Sequence, residues 1–135
     1  SVAGVRLPEK QLAAEKGAMP WLLLAGGETP VTLPAGSRGT GGRCQELALA
    51  AALELRPEDA LLVLAAGTDG TDGPTDAAGA IVDASTVARG ERAGRSGRAA
   101  LDANDAYTFL SAAGDLVRSG PTNTNLLDLY LVLKS

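Results

Sequence analysis

The chain has 135 residues, 45% hydrophobic but only 3% aromatic, enough for one domain with a core of Leu, Val and Ala. A net charge of −4 leaves no basic footprint for DNA, RNA or an anionic membrane, and so few aromatics argue against base-stacking modules. A single Cys and the absence of His exclude an internal disulfide, a cysteine metal cluster and the commonest general base and zinc ligand.

Pro8 to Gly17 reads as a short helix, with Pro at its first position and Gly just past its end. Its apolar face is thin (Leu12, Ala13), so residues 1–19 read as the remnant of a longer element or a linker. Trp21 to Ala25 is a strand running into Gly26-Gly27, and Val31 to Leu33, bracketed by Pro30 and Pro34, is expected as a second, edge strand. Residues 35–42 form a loop. From Arg43 to Leu55 the pattern is helical, and its polar residues Arg43, Gln45 and Glu46 crowd the first turn.

Leu61 to Ala66 is a continuous apolar run, the pattern of a strand buried on both faces. It opens into Gly67-Thr68-Asp69-Gly70-Thr71-Asp72-Gly73-Pro74-Thr75-Asp76, the stretch around which the chain is organised. A loop leaving the carboxyl end of a central strand is where open α/β sheets place ligands. Ala77 to Val82 follows as a buried turn or strand, and Asp83 is expected to cap a helix reaching about Ala93. Residues 94–100 read as a surface connection, and Ala106 to Ala113 as a helix stopped by Gly114. Asp115 to Arg118 reads as a short strand, Ser119 to Asn125 as a loop and Leu126 to Leu133 as a closing strand. The expected fold is α/β, a mixed central sheet flanked by helices in a single compact domain over 1–135.

Two stretches carry chemistry. Gly39 to Gly42 leading into Arg43 is either an anion cradle at a helix start or a mobile loop with a cap. An Arg at a helix N-terminus opposes the macrodipole, and becomes useful beside an anion. The spacing fits neither the P-loop nor the dinucleotide fingerprint. The acidic loop either binds Mg²⁺ through hard oxygens or folds into Asx turns. Three acids this close repel one another and need a cation or donors. Asn104-Asp105 is a helix cap on its own, and Gly120 to Asn125 a turn. Cys44, at a helix start after an Arg, is in a setting that can lower a thiol pKa, although a small space-filler is the commoner role.

Taken together, these segments resemble the MOFRL domain, the C-terminal domain of type-2 glycerate kinases, proteins also labelled as hydroxypyruvate reductases. The residues that carry the resemblance are Gly26 to Thr29, Gly41 to Leu47, Ala66 to Ala80, Asn104-Asp105 and Gly120 to Asn125. It extends from about Trp21 onward. It implies a kinase that uses ATP and Mg²⁺ to convert D-glycerate to 2-phosphoglycerate in a cleft between two α/β domains. The larger N-terminal domain, which supplies a catalytic Lys, would then be missing here, in keeping with a chain that starts at Ser1.

The resemblance implies that Arg43 and Asp69 act in catalysis. Glu28, Thr29, Gly41, Gly42, Gln45, Thr68, Gly70, Asp72, Thr75, Asn104, Asp105, Thr124 and Asn125 would contact substrate or nucleotide, and Asp69 and Asp72 would bind the metal. The chain departs from the family pattern at Cys44, usually Asn, and at Asn123, usually Gly. Asn tolerates the left-handed backbone region, so that turn can survive.

Three functions are compatible with these residues: a kinase domain inactive by itself, a hydride-transferring reductase, or a stand-alone module that binds a small anion or a partner, including a second copy. No nucleic acid or membrane is expected as a partner. The longest apolar run falls well short of the ~20 residues of a membrane helix and no signal-peptide pattern is seen, so a cytoplasmic setting is expected.

Overall fold

The computed structural model describes residues 20–33 and 35–135. The helix expected over 8–17 lies outside them. In chain order the elements are β1 (Trp21–Gly27), α1 (Arg43–Glu54), β2 (Leu61–Gly67), β3 (Gly79–Asp83), α2 (Thr86–Arg92), α3 (Gly97–Asp102), α4 (Ala106–Ala113), β4 (Leu116–Val117) and β5 (Asp128–Lys134). A single 3₁₀ turn, Pro57–Asp59, joins α1 to β2.

The strands form one sheet in the order β1-β5-β2-β3-β4, antiparallel at every pairing. The α/β single-domain expectation holds, but the described helices all lie on one face. There α1 packs on β2 and β3, and α2, α3 and α4 pack beside it. Val63, Ala65, Ala80, Val82 and Tyr130 meet Leu47, Leu49, Phe109 and Leu110 in the core. Small residues on β2, β3 and α1 let helix and sheet approach closely, and the single Phe, Phe109, fills the space between the helices.

Three local expectations are corrected. Val31 to Leu33 forms no strand. Pro30 has no amide to donate, and three residues are too few to build a ladder of their own. The helix after β3 starts at Thr86, with Ser85 at its cap position. Asp83 does not cap it: its Oδ1 accepts the Ser85 amide (2.7 Å) and hydroxyl (2.6 Å) in a local turn. The stretch 94–100 is not all connection, because Ser96 caps α3 by accepting the Ala99 amide at 3.2 Å. A further difference concerns β2. Its core side (Val63, Ala65, Gly67) is buried, but Leu62 on the other face is 38% exposed. The run expected to be buried on both faces is covered on one.

Candidate functional site

The site forms where three strand ends meet the start of α1. In the ladder Asp128 lies between Gly27 and Gly67, so neither neighbouring strand sets a side chain beside it. Arg43, the first residue of α1, takes that space. Its Nε donates to Asp128 Oδ2 (2.6 Å) and its Nη2 to Asp128 Oδ1 (3.0 Å), a two-point contact on a carboxylate only 3% exposed. Nη1 of Arg43 turns outward to Glu28 Oε1, on a side chain 54% exposed. The Asp128 carboxylate, followed by Glu28, holds the guanidinium firmly in its charged form. Tyr130 Oη donates to Asp128 Oδ2 at 3.1 Å and lies 3.2 Å from Thr29 Oγ1. Glu28 and Thr29 are thus tied to the same centre as Arg43.

The second feature is the start of α1. Gly42 at the cap position has no side chain to accept the first amides. Asp72 supplies the acceptor from 27 or more residues away: Oδ1 takes the Cys44 amide (3.1 Å) and Oδ2 the Gln45 amide (2.8 Å). A Cβ on residue 42 would lie 2.3 Å from the Asp72 carboxyl carbon, so only Gly fits. Burial pushes the Asp72 carboxyl up from the ordinary aspartate value, and the two amides pull against it. The anion that the glycine-rich helix start accommodates is therefore the protein's own Asp72.

The other acids also find protein donors in place of a cation. Asp69 Oδ1 accepts the Thr71 amide (3.0 Å) in an Asx turn. Asp76 accepts from Tyr107 Oη (2.8 Å) and Arg118 Nε (3.0 Å), which hold its carboxyl below the usual range. Among the described residues no group of three or more His, Cys, Asp or Glu could hold a metal ion. Asp69 and Asp72, the pair expected to hold Mg²⁺, are thus each engaged by backbone amides. Cys44 is fully buried, and desolvation, followed by the Asp72 charge, pushes its thiol up. It is a space-filler and not an activated nucleophile.

An open cleft of about 970 Å³ brings together Glu28, Thr29, Gly41, Gly42, Arg43, Asp69, Asp72 and Asn104 from the expected set. Asn104 donates through Nδ2 to Glu46 Oε1 (3.0 Å), and Glu46 also faces the cleft. Five of the remaining expected residues, Gln45, Thr68, Gly70, Thr75 and Asp105, do not line the cleft but brace the loops around it. Gln45 is buried, donating to Asp72 O (3.1 Å) and Thr75 Oγ1 (2.9 Å). Thr75 Oγ1 donates in turn to Asp72 O at 2.8 Å. Thr68 Oγ1 donates to Leu127 O (2.8 Å) and accepts the Leu126 amide (2.7 Å), pinning the last loop. Gly70 passes against that loop with φ +87°, where a Cβ would meet Gly120 O at 2.1 Å. Asp105 Oδ1 accepts the Thr40 amide at 2.9 Å. Thr124 and Asn125 are exposed and do not line the cleft, and Asn125 Oδ1 accepts the Leu127 amide at 3.0 Å.

Asp128 and Tyr130 are the members of the centre that sequence reasoning missed. The available signal was Gly27 and Gly67, two strands ending in Gly, which leave an acid on the strand between them room for a cation. Residues 21–128 match the family model described as the MOFRL family.

The chain belongs to the MOFRL family.

Relatives agree. The D-glycerate 2-kinase of Thermotoga maritima is 47% identical over 114 residues, covering 84% of this chain and 27% of that protein. A protein of Agrobacterium vitis named for hydroxypyruvate reductase is 42% identical over 135 residues, 98% of this chain and 30% of that protein. The crystal structure of glycerate kinase from Thermotoga maritima superposes with a TM-score of 0.84 at 43% identity, covering 94% of this chain and 30% of that one. This MOFRL domain thus spans under a third of the length of these relatives.

Proposed function

We propose that this MOFRL domain is the C-terminal part of an ATP-dependent glycerate 2-kinase, and that it supplies one wall of an interdomain cleft in which D-glycerate becomes 2-phosphoglycerate. The observation that carries the proposal is Arg43: an always-charged fork, fixed from behind by buried Asp128, with its outer nitrogen at the cleft on an exposed Glu28. Phosphoryl transfer depends on positioning and charge stabilisation more than on covalent chemistry. A fixed guanidinium meets both demands, and the exposed Glu28 contact is the weaker of its two ion pairs, the one a substrate carboxylate or phosphate can replace.

ATP would supply the transferred phosphoryl group. The Cys44 and Gln45 amides are taken by Asp72 and the Thr40 amide by Asp105, so in this domain Arg43 with Gly39, Gly41 and Gly42 remains to meet an anion. Asp69 is the acid of the loop left to orient the glycerate hydroxyl. Asp72 serves as scaffold for the start of α1. With the other wall contributed by the rest of the longer protein, the 135 residues alone turn over no glycerate.

The name of the Agrobacterium relative favours a second reading, hydroxypyruvate reduction by a nicotinamide cofactor. The two separate on the full-length protein, assayed in parallel for D-glycerate-dependent ADP release and hydroxypyruvate-dependent NADH oxidation. ADP release alone is expected. NADH consumption without ADP release would replace the kinase reading with the reductase one.

A further inference from the structure

The sheet has a second face that no described helix covers. Ladder register puts Leu22, Leu133 and Leu62 side by side across β1, β5 and β2, with Leu24 and Leu131 in the next row and Ile81 beyond them on β3. Leu22 is 61% exposed, Leu24 62%, Leu62 38%, Leu133 39% and Ile81 39%. An antiparallel sheet with one wet face alternates apolar and polar residues. These strands carry apolar side chains on both faces, the composition of a sheet covered twice. A contiguous apolar band of this kind marks an interface.

Relatives indicate what is available to cover it. The part matched by this chain makes up 27% to 30% of them, so most of each relative's polypeptide is available to pack on that face. The band crosses four strands spaced about 4.8 Å apart, which two helices packed roughly 10 Å apart would span. We infer that this face is the docking surface for two amphipathic helices from the remainder of the full-length protein, completing an α/β/α sandwich. The inference holds whichever reaction that protein catalyses, because the band lies outside the Arg43 cleft.

The test is thiol labelling of the full-length protein carrying Leu24→Cys, with Ser111→Cys on the exposed side of α4 as reference. Cys44 is fully buried and does not report. At least tenfold slower labelling at residue 24 than at 111, unchanged on dilution, is expected. Equal rates would overturn the inference. So would protection lost on dilution, which means a second copy covers the face. Hydroxyl-radical footprinting of the unsubstituted full-length protein reads Leu22 and Leu24 without any variant. Strong oxidation there, comparable to exposed leucines elsewhere, would likewise overturn it.

Discussion

At the residue scale, the centre works by assigning a donor or acceptor to each charge, and Asp72 is the clearest case. It replaces the cap side chain that Gly42 cannot offer. Asp72→Ala should therefore destabilise the domain by about 1–2 kcal/mol, read as a lowered urea midpoint at unchanged slope. No change would mean the cap carries no load. The raised Asp72 carboxyl contributes stability that is whole below the ordinary aspartate value and is lost as pH rises through its folded value. Asp83, lowered chiefly by the Ser85 hydroxyl, has the opposite sign: its contribution is present above the ordinary value and lost as pH falls through its folded one. Carboxyl carbon NMR titration should show Asp72 above and Asp83 below the usual aspartate range; the reverse order would contradict both environments. Asp128→Asn in the full-length protein should cut kcat at least tenfold with KM for ATP nearly unchanged, because it loosens Arg43 without removing it. Tyr130→Phe should do so less than threefold. Unaltered kcat in Asp128→Asn would show that Arg43 needs no fixed orientation. Arg43 and Asp72 were conspicuous in the sequence because their neighbours are glycines. Asp128 was not, since its partner is 85 residues away and nothing local marks the pairing.

At the scale of elements, periodicity located what burial dictates. The helix at 43–54, the strands at 21–27 and 61–67 and the helix at 106–113 were legible because each buries a regular apolar pattern. The six-residue helix α3 was not, because its sequence, Gly-Arg-Ala-Ala-Leu-Asp, offers too short a face for any period to show. Val31 to Leu33 looked like a strand on composition, but a strand exists by its ladder, and none of the described strands pairs with it. The loops were legible as loops, though not in their joining. Thr68 fastens Leu126 and Leu127 to the end of β2 through its hydroxyl, a tertiary contact that sequence spacing does not encode. Thr68→Val should cost about 1–2 kcal/mol for the lost hydroxyl bonds and speed amide exchange at Leu126 while leaving α1 protected. Uniform exchange across the domain would mean that the loop unfolds only with the whole.

At the scale of the molecule, one feature of the sequence foretold more than the described residues contain. The apolar run of β2 called for cover on both faces, and the structure supplies it on one. The cleft has the same one-sided character, since Arg43, Asp69 and Asn104 face open space. Both observations fit a domain that spans under a third of its relatives. The role proposed for Arg43 is to stabilise the transferred phosphoryl group in a glycerate 2-kinase. It is tested most directly by ³¹P NMR of the full-length protein turning over ATP and D-glycerate, beside its Arg43→Lys variant. The 2-phosphoglycerate resonance should grow with the native protein. It should grow about 10²–10³-fold more slowly with Arg43→Lys, which keeps the charge but loses the fork that Asp128 holds. An equal rate of 2-phosphoglycerate formation by both proteins, or no phosphoglycerate from either, would contradict it.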